Sequence, residues 1–220
     1  MELAAGFEVV DLSMRLSDDT PVYPGDPSVR IEVTSTFEEA GFFNTRLTLG
    51  AHNGTHIDAE GHMIPGGRML DEYPLSRFHG RGVLLDVRNG SSGLDLRDAA
   101  VNAAGDPVVD ADSIVLLWTG ISDARHEPDY YSRVPDLTMD LVEQLIAAGV
   151  KMVGVDAGSI DAEPFEIHKA LLSGGVLIAE NLVRLSTLAS AAASFTVWAL
   201  PLNVSVEASP ARVIAHLGNA

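Results

Sequence analysis

The amino-acid sequence predicts an α/β fold, in which short buried strands are covered by helices or by a second sheet. Short runs rich in β-branched and aromatic residues recur along the chain, and several of them are apolar on both faces. One segment has a clear helical period between start and stop signals. With 220 residues and 46% hydrophobic composition, the chain can bury a sizeable core, and we predict a single domain over residues 1–220.

Turns rich in glycine and proline separate the predicted strands and mark connections within one domain rather than a linker between two. Apolar side chains on both faces of a strand need cover on both sides, so these runs are typical of a sheet that lies between layers. Seven runs are predicted as strands: Val29–Val33, Arg46–Leu49, Val83–Val87, Ile114–Trp118, Lys151–Val155, Val176–Ala179 and Thr196–Leu200.

The clearest helix is predicted over Thr138–Ala148, where Thr138 can cap the first turn and Gly149 can end the last. A shorter helix is predicted over Phe165–Leu172, just before a pair of glycines. One apolar stripe defines the first helix and consists of Leu141, Val142, Leu145 and Ile146.

The charge and the residue types exclude several classes of function. Acidic residues outnumber basic residues by 31 to 14, a formal net charge of -17, which repels nucleic acid and anionic lipid. The absence of cysteine excludes disulfides, thiolate zinc sites and cysteine nucleophiles. The N-terminal sequence lacks the features of a secretory signal and no run suits a membrane span, so we expect a cytoplasmic protein.

Three of the seven histidines, His52, His56 and His62, fall within eleven residues, and Asp58 lies among them. If this stretch begins with a helical turn, His52 and His56 share one face, and Asp58 can reach the same ion where the chain becomes extended. Imidazole and carboxylate together suit zinc, manganese or iron(II). The stretch is not a zincin motif, because Asn53 stands where that motif needs glutamate. The alternative is a polar turn whose histidines are satisfied by hydrogen bonds.

The same stretch reads H-x-G-T-H-x-D-A-x-x-H and resembles the signature of the cyclase-like metal hydrolase family. That family includes bacterial kynurenine formamidases, isatin hydrolases and some γ-lactamases. The resemblance covers residues 9–188 and includes further matching stretches, which are Asp11-Leu-Ser, Thr20–Asp26, Ser159-Ile-Asp161, His168–Leu172 and Glu180-Asn-Leu182.

The resemblance implies which side chains bind metal. One divalent ion, zinc or manganese, would bind to His52, His56 and Asp58. Where the subunit holds two ions, the second would bind to Asp58, His168 and Glu180. The resemblance also implies a swivelling β/β/α fold and a homodimer or homotetramer, in which a neighbouring subunit supplies part of the active-site wall.

His62 corresponds to the catalytic histidine of the family. In the implied reaction, a divalent ion lowers the pKa of a bound water to about 7, and His62 takes its proton and passes it to the leaving nitrogen.

The sequence departs from the family pattern at Glu60, where proline is common, and at Met63, where phenylalanine is common. We expect Glu60 to loosen the backbone and to add a carboxylate near the ion.

The predicted substrate is a small amide, with N-formylkynurenine first and isatin or a bicyclic γ-lactam next. Two alternatives stay open at this point. A cyclase or dehydratase would use the same ion to enolise a carbonyl group, and a non-catalytic metal-binding module would have no open coordination position.

Other polar and aromatic residues receive weaker interpretations. Asp156 and Asp161 could orient the histidine ligands or cap loops. A group of aromatic residues could line a substrate pocket, although core packing is the stronger interpretation; it consists of Tyr23, Phe37, Phe42, Phe43 and Trp118. No role is assigned to His79, His126 and His216.

Overall fold

A computed structural model describes residues 8–96, 109–191 and 194–218 of the chain. Ten strands are assigned in these ranges, of which eight form one large sheet and two form a separate hairpin. Their bounds are β1 Glu8–Asp11, β2 Arg30–Ser35, β3 Asn44–Thr48, β4 His56–Asp58, β5 His79–Asp86, β6 Ser113–Trp118, β7 Met152–Val155, β8 Leu177–Glu180, β9 Phe195–Pro201 and β10 Ala208–Leu217.

The large sheet closes on itself. Its strand order is β1-β10-β4-β8-β7-β6-β5-β9, and β9 also pairs with β10, so that seven strands form a barrel-like ring with β1 on its outside edge. Strands β5 to β8 run parallel, and the other pairs in the ring are antiparallel. Within the described part of the chain, four α-helices are assigned: α1 Phe37–Ala40, α2 Met139–Ala148, α3 Glu166–Ser173 and α4 Leu185–Ala191.

Two hydrophobic clusters explain why the parallel strands are apolar on both faces. Successive side chains of a strand point to opposite faces. In β5, Leu84 therefore packs into the cluster inside the ring, whereas Val83 and Leu85 pack into the cluster beneath helices α2 and α3. The ring interior is tightly filled, because a Cβ on Gly82 would lie 1.9 Å from the ring of Phe195. The predicted α/β class is confirmed.

Both predicted helices are present. The Thr138 side chain caps α2 by accepting a hydrogen bond from Leu141 N, and Gly149 ends the helix with a positive φ of 71°. Helix α3 begins at Glu166, one residue after the predicted start, because Phe165 adopts the left-handed conformation with φ 60°. All seven predicted strands are also present, with shifted ends.

Strands β2 and β3 form an antiparallel hairpin whose connection carries helix α1. We call this segment, residues 30–48, the hairpin arm. The interpretation of its aromatic residues as core is wrong: Phe37, Phe42 and Phe43 are 66%, 54% and 55% exposed. Further exposed apolar side chains of the arm are Ile31, Val33 and Leu47.

No helix in the described ranges is long and apolar enough to cross a membrane. The single domain over residues 1–220 stays a prediction, as does the cytoplasmic location. The three strands that the sequence patterns missed are β1, β4 and β10, and two of them, β4 and β10, build the candidate site.

Candidate metal centre and cavity

Strand β4 carries the centre of the site. It pairs with β10 on one side and β8 on the other, and its register places His56 opposite Glu180. Because side chains two residues apart share one face of a strand, His56 and Asp58 point the same way. The helical turn considered for this stretch does not form: the chain bends over residues 53–55, and the strand begins at His56. The bend brings His52 back over the strand.

The three residues predicted to bind the first ion lie together. His52 Nδ1 is 3.0 Å from Asp58 Oδ1, and His56 Nε2 is 3.4 Å from the same oxygen. Ligand atoms from all three residues lie within 4.8 Å of one another. Such spacing allows one cation to contact all three, and a nitrogen and oxygen donor set suits zinc or manganese.

Three buried atoms at this point fit a cation and make no hydrogen bond of good geometry with the described residues: His56 Nε2 and both carboxylate oxygens of Asp58. Two of them, His56 Nε2 and Asp58 Oδ1, lie in ion-pair contact with each other, and His52 also contacts Asp58 Oδ1. Asp58 is fully buried and His56 is 2% exposed. Buried polar atoms are seldom left without partners, since the desolvation is costly. The backbone carbonyl of Gly54 lies 2.8 Å from His56 Nδ1 and can accept a hydrogen bond from it, which leaves Nε2 free to bind a metal.

His168 approaches the cluster from helix α3. Asp161 performs two tasks there: one carboxylate oxygen accepts hydrogen bonds from Ile167 N and His168 N at the start of the helix, and the other contacts His168 Nδ1. His168 Nε2 then faces Glu180 Oε1 at 3.2 Å. Asp161 thus orients the imidazole, as the sequence indicated.

Glu180 lies at the end of β8, between the histidines. Its Oε1 accepts a hydrogen bond from Ile160 N at 2.7 Å, and its Oε2 is 3.6 Å from His56 Nε2. A second group of potential ligand atoms within 4.8 Å of one another comes from Asp58, His62 and His168. The assignment of a second ion to Asp58, His168 and Glu180 stays a prediction.

His62 lies on a 3₁₀ turn, Glu60–His62, that follows strand β4. Its ring centroid is 4.3 Å from that of His52 and 5.8 Å from that of His168. The side chain is half-buried and lines the cavity. Burial lowers the pKa of His62, and the positive charges of His52 and His168 act in the same direction. A neutral imidazole at this position can accept a proton.

The charges of the cluster favour cations. Burial alone lowers the pKa of His52, but the carboxylates of Asp58, Glu180 and Glu207 outweigh it and raise the value to about 9. Burial likewise lowers the pKa of His168, but Asp161 and Glu180 raise it to about 10. In the metal-free protein these imidazoles hold protons, and binding of a divalent ion releases them.

The cluster forms the floor of a cavity of about 260 Å³. Tyr23, Met63, Tyr131 and Phe165 form its apolar walls, and Asp26 contributes a carboxylate. The cavity is smaller than the roughly 300–1,000 Å³ of sites for drug-sized ligands. Among the aromatic residues considered from the sequence, Tyr23 is the one that lines it.

Two acidic residues near the cluster have other partners. Glu60 belongs to neither group of potential ligand atoms, and Arg68 binds it through two hydrogen bonds of 2.7 and 3.1 Å. Asp156 fits the loop-capping alternative, because it accepts hydrogen bonds from the backbone N–H of Thr119 and Gly120. Its burial raises its pKa to about 6.

Sequence patterns missed several residues of the site. Glu207 Oε1 lies 3.5 Å from His52 Nε2, and no local motif marks it. Asp26 belongs to a stretch that matches the family, but the sequence did not predict that its side chain lines the cavity. Gly158 allows the pocket wall to form, because a Cβ there would lie 2.6 Å from the ring of Tyr131.

The fold and the site define an α/β protein with a candidate metal centre at the mouth of a barrel-like sheet. The family model for Cyclase matches residues 10–162, and the chain belongs to this family. The predicted family resemblance is therefore confirmed.

Two relatives match nearly the whole chain. The kynurenine formamidase of Bacillus thuringiensis (strain Al Hakam) is 29% identical over 212 residues, which cover 94% of this chain and 96% of the relative. An uncharacterized protein of Methanocaldococcus jannaschii is 32% identical over 214 residues, which cover 96% of this chain and 100% of the relative.

Solved structures share the fold. Isatin hydrolase A from Labrenzia aggregata, bound to benzyl benzoate, superposes with a TM-score of 0.82 at 24% identity and covers 99% of this chain and 96% of its own. A structure described as a potential metal-dependent hydrolase with cyclase activity superposes with a TM-score of 0.73 at 26% identity. The superposition covers 98% of this chain and 100% of the other.

Proposed function

We propose that the protein is a metal-dependent hydrolase of small amides, with N-formylkynurenine as the first substrate to test and isatin or a γ-lactam next. One observation carries the proposal. Neither oxygen of buried Asp58 makes a hydrogen bond of good geometry with the described residues, and four imidazoles that line a cavity offer ligand atoms within 4.8 Å of that carboxylate. The kynurenine formamidase relative supports the choice of a formamide.

His52, His56 and Asp58 would hold the first divalent ion, zinc or manganese, and the contacts among these residues support that choice. Asp58, His168 and Glu180 would hold a second ion where two are bound. A divalent ion bound there polarises a carbonyl group and lowers the pKa of a water molecule. The apolar walls exclude bulk water from this part of the cavity, which strengthens the attraction between the ion and a substrate carbonyl.

His62 is the proposed general base and acid. Its ring lies against His52 and faces the cavity, where it can take a proton from the attacking water and deliver it to the leaving nitrogen. His168, which is held by Asp161, also lies against His62, so that two neighbouring rings limit the positions that the His62 ring can adopt.

Turnover of three substrates by metal-loaded protein, beside a chelated control, tests the proposal. We expect chelator-sensitive uptake of one water. Isatin or a γ-lactam should give one ring-opened product heavier than the substrate by one water, whereas N-formylkynurenine should give formate and the free aniline, whose masses add up to the substrate plus one water. Products whose summed mass lacks that water would replace the hydrolase by a cyclase or dehydratase. Stoichiometric metal without turnover of N-formylkynurenine, isatin or a γ-lactam would contradict the proposed substrates.

We also propose a homodimer or homotetramer. The hairpin arm is exposed on most of its surface and carries six exposed apolar side chains, which are Ile31, Val33, Phe37, Phe42, Phe43 and Leu47. An isolated hairpin is marginally stable in water, and a large exposed apolar patch marks an interaction surface. Light scattering should give a molar mass that is a multiple of 23.3 kDa. The Phe43→Glu substitution should shift the measured mass toward that of the monomer.

A further inference from the structure

One carboxylate in the cavity belongs to none of the groups that could bind metal. Asp26 lines the same cavity as His56 and His168, yet it is absent from both sets of potential ligand atoms. Its side chain is half-buried and has no hydrogen bond or ion pair with the described residues. Buried or half-buried charges usually have a partner, so a ligand is the natural source of one.

The position of Asp26 is fixed by its surroundings. The Asp26 N–H donates to the carbonyl of Tyr23 at 3.0 Å, and the turn uses Gly25 in the left-handed region with φ 102°. The Tyr131 hydroxyl donates to the carbonyl of Pro21 at 3.0 Å, which ties this loop to another residue of the cavity wall. The loop therefore holds the carboxylate at the cavity in a defined place.

The same cavity is lined by Asp26 and by histidines of the candidate metal centre, where a bound ion would attract an amide carbonyl. No lysine or arginine is found among the described residues that line the cavity, so no such side chain pairs with Asp26 there. A ligand with an ammonium group would gain a charge-assisted hydrogen bond at Asp26, whereas a carboxylate in the same place would be repelled.

We infer that Asp26 selects substrates that carry a primary ammonium group a few bonds from the scissile amide. The inference rests on the proposed function, because the amide must lie at the candidate metal centre while the ammonium reaches Asp26. In this arrangement Asp26 is a specificity-determining residue that takes no part in the proton transfers.

Three aryl formamides test this inference. All share a formanilide with an ortho acyl chain, and they differ only at the end of that chain: an ammonium, a methyl group or a carboxylate. In the wild-type protein, kcat/KM for the ammonium substrate should exceed that for the methyl substrate by about tenfold. The carboxylate substrate should be the poorest. The preference should fall as salt rises, because a half-exposed charge is screened.

Asp26→Asn keeps the size of the side chain and removes its charge. It should abolish the preference for ammonium, so that the ratio of kcat/KM between the ammonium and methyl substrates falls to about one. The matched control is Asp19→Asn, the same change in charge at an exposed residue that lines a different cleft. Asp19→Asn should keep the preference. Equal ratios in the wild-type protein and in Asp26→Asn would overturn the inference and leave the hydrolase intact.

Calorimetric binding of the three deformylated anilines separates failure of the inference from failure of the proposed function. If no formamide is hydrolysed but the ammonium aniline binds about tenfold tighter than the methyl aniline, and only Asp26→Asn removes the difference, the selectivity of the cavity stands and amide hydrolysis fails. Equal binding of the anilines, without turnover, would overturn both.

Discussion

The candidate site has two halves, one built on strands and one built on loops. The strand half consists of His56, Asp58 and Glu180, which lie on β4 and β8 and are 2%, 0% and 5% exposed. The loop half includes His52 and His62, which lie before and after β4 and are more exposed. Hydrogen-bonded strands fix the buried groups, whereas loops place groups where substrate and water can reach them.

The largest effect is expected at Asp58 in the strand half. Its carboxylate belongs to both groups of potential metal ligands. Asp58→Asn should abolish metal binding and lower kcat/KM by about 10³-fold or more, since a bound ion contributes several kcal/mol. Metal content by mass spectrometry and turnover check this. Full metal content in the Asp58→Asn protein would contradict the proposal that the strand half holds the metal.

In the loop half, His62→Gln should separate metal binding from turnover. The imidazole that moves the proton is lost, so kcat should fall by ~10²-fold or more while metal content is unchanged. The matched control is His126→Gln, a histidine outside the cavity, which should have no effect on kcat. Joint loss of metal and turnover in His62→Gln would make His62 a ligand, as the second group of ligand atoms permits.

Asp161 lies in the loop before helix α3 and supports His168, which faces Glu180 of the strand half. Asp161→Asn removes the charge that orients His168 and should weaken metal affinity by roughly 10–100-fold. Titration with a competing chelator measures this change. Glu166→Gln removes an exposed charge from the first turn of the same helix and should leave the affinity unchanged. Unchanged affinity in both variants would show that His168 needs no such support.

The smallest effect is expected at Glu60, which begins the 3₁₀ turn of the loop half. Glu60→Gln breaks a partly exposed pair with Arg68. The free energy of unfolding should therefore fall by less than about 1 kcal/mol, with metal content unchanged. Denaturant unfolding and metal analysis check both values. Loss of metal in Glu60→Gln would place this carboxylate in the site after all.

Sequence patterns predicted the parallel half of the sheet better than the antiparallel half. Strands β5 to β8 are covered on both sides, so their composition is apolar throughout and easy to recognise. Strand β4 has three residues, two of which are polar because they face the site. Because the site uses these two polar side chains, the apolar composition typical of a buried strand is missing there. Hydrophobic periodicity alone therefore could not reveal the strand.

The candidate site was predictable where its residues are close in sequence. His52, His56, Asp58 and His62 form one local motif, and family resemblance added His168 and Glu180. Asp26 and Glu207 are distant in sequence from this motif, and the folded chain brings them to the site. Asp26 belongs to an N-terminal loop that is tied to Tyr131, and Glu207 directly precedes strand β10 beside β4. Such contacts depend on long-range pairing, which spacing along the chain does not encode.

Hydrolysis itself is tested most directly by turnover of N-formylkynurenine in water labelled with heavy oxygen, with metal-loaded protein and a chelated control. The proposed reaction transfers oxygen from water to the acyl product, so the released formate should carry one heavy oxygen, and the chelated control should release none. An unlabelled product, or one whose mass shows loss of water, would contradict a hydrolase and assign the metal centre to a cyclase or dehydratase.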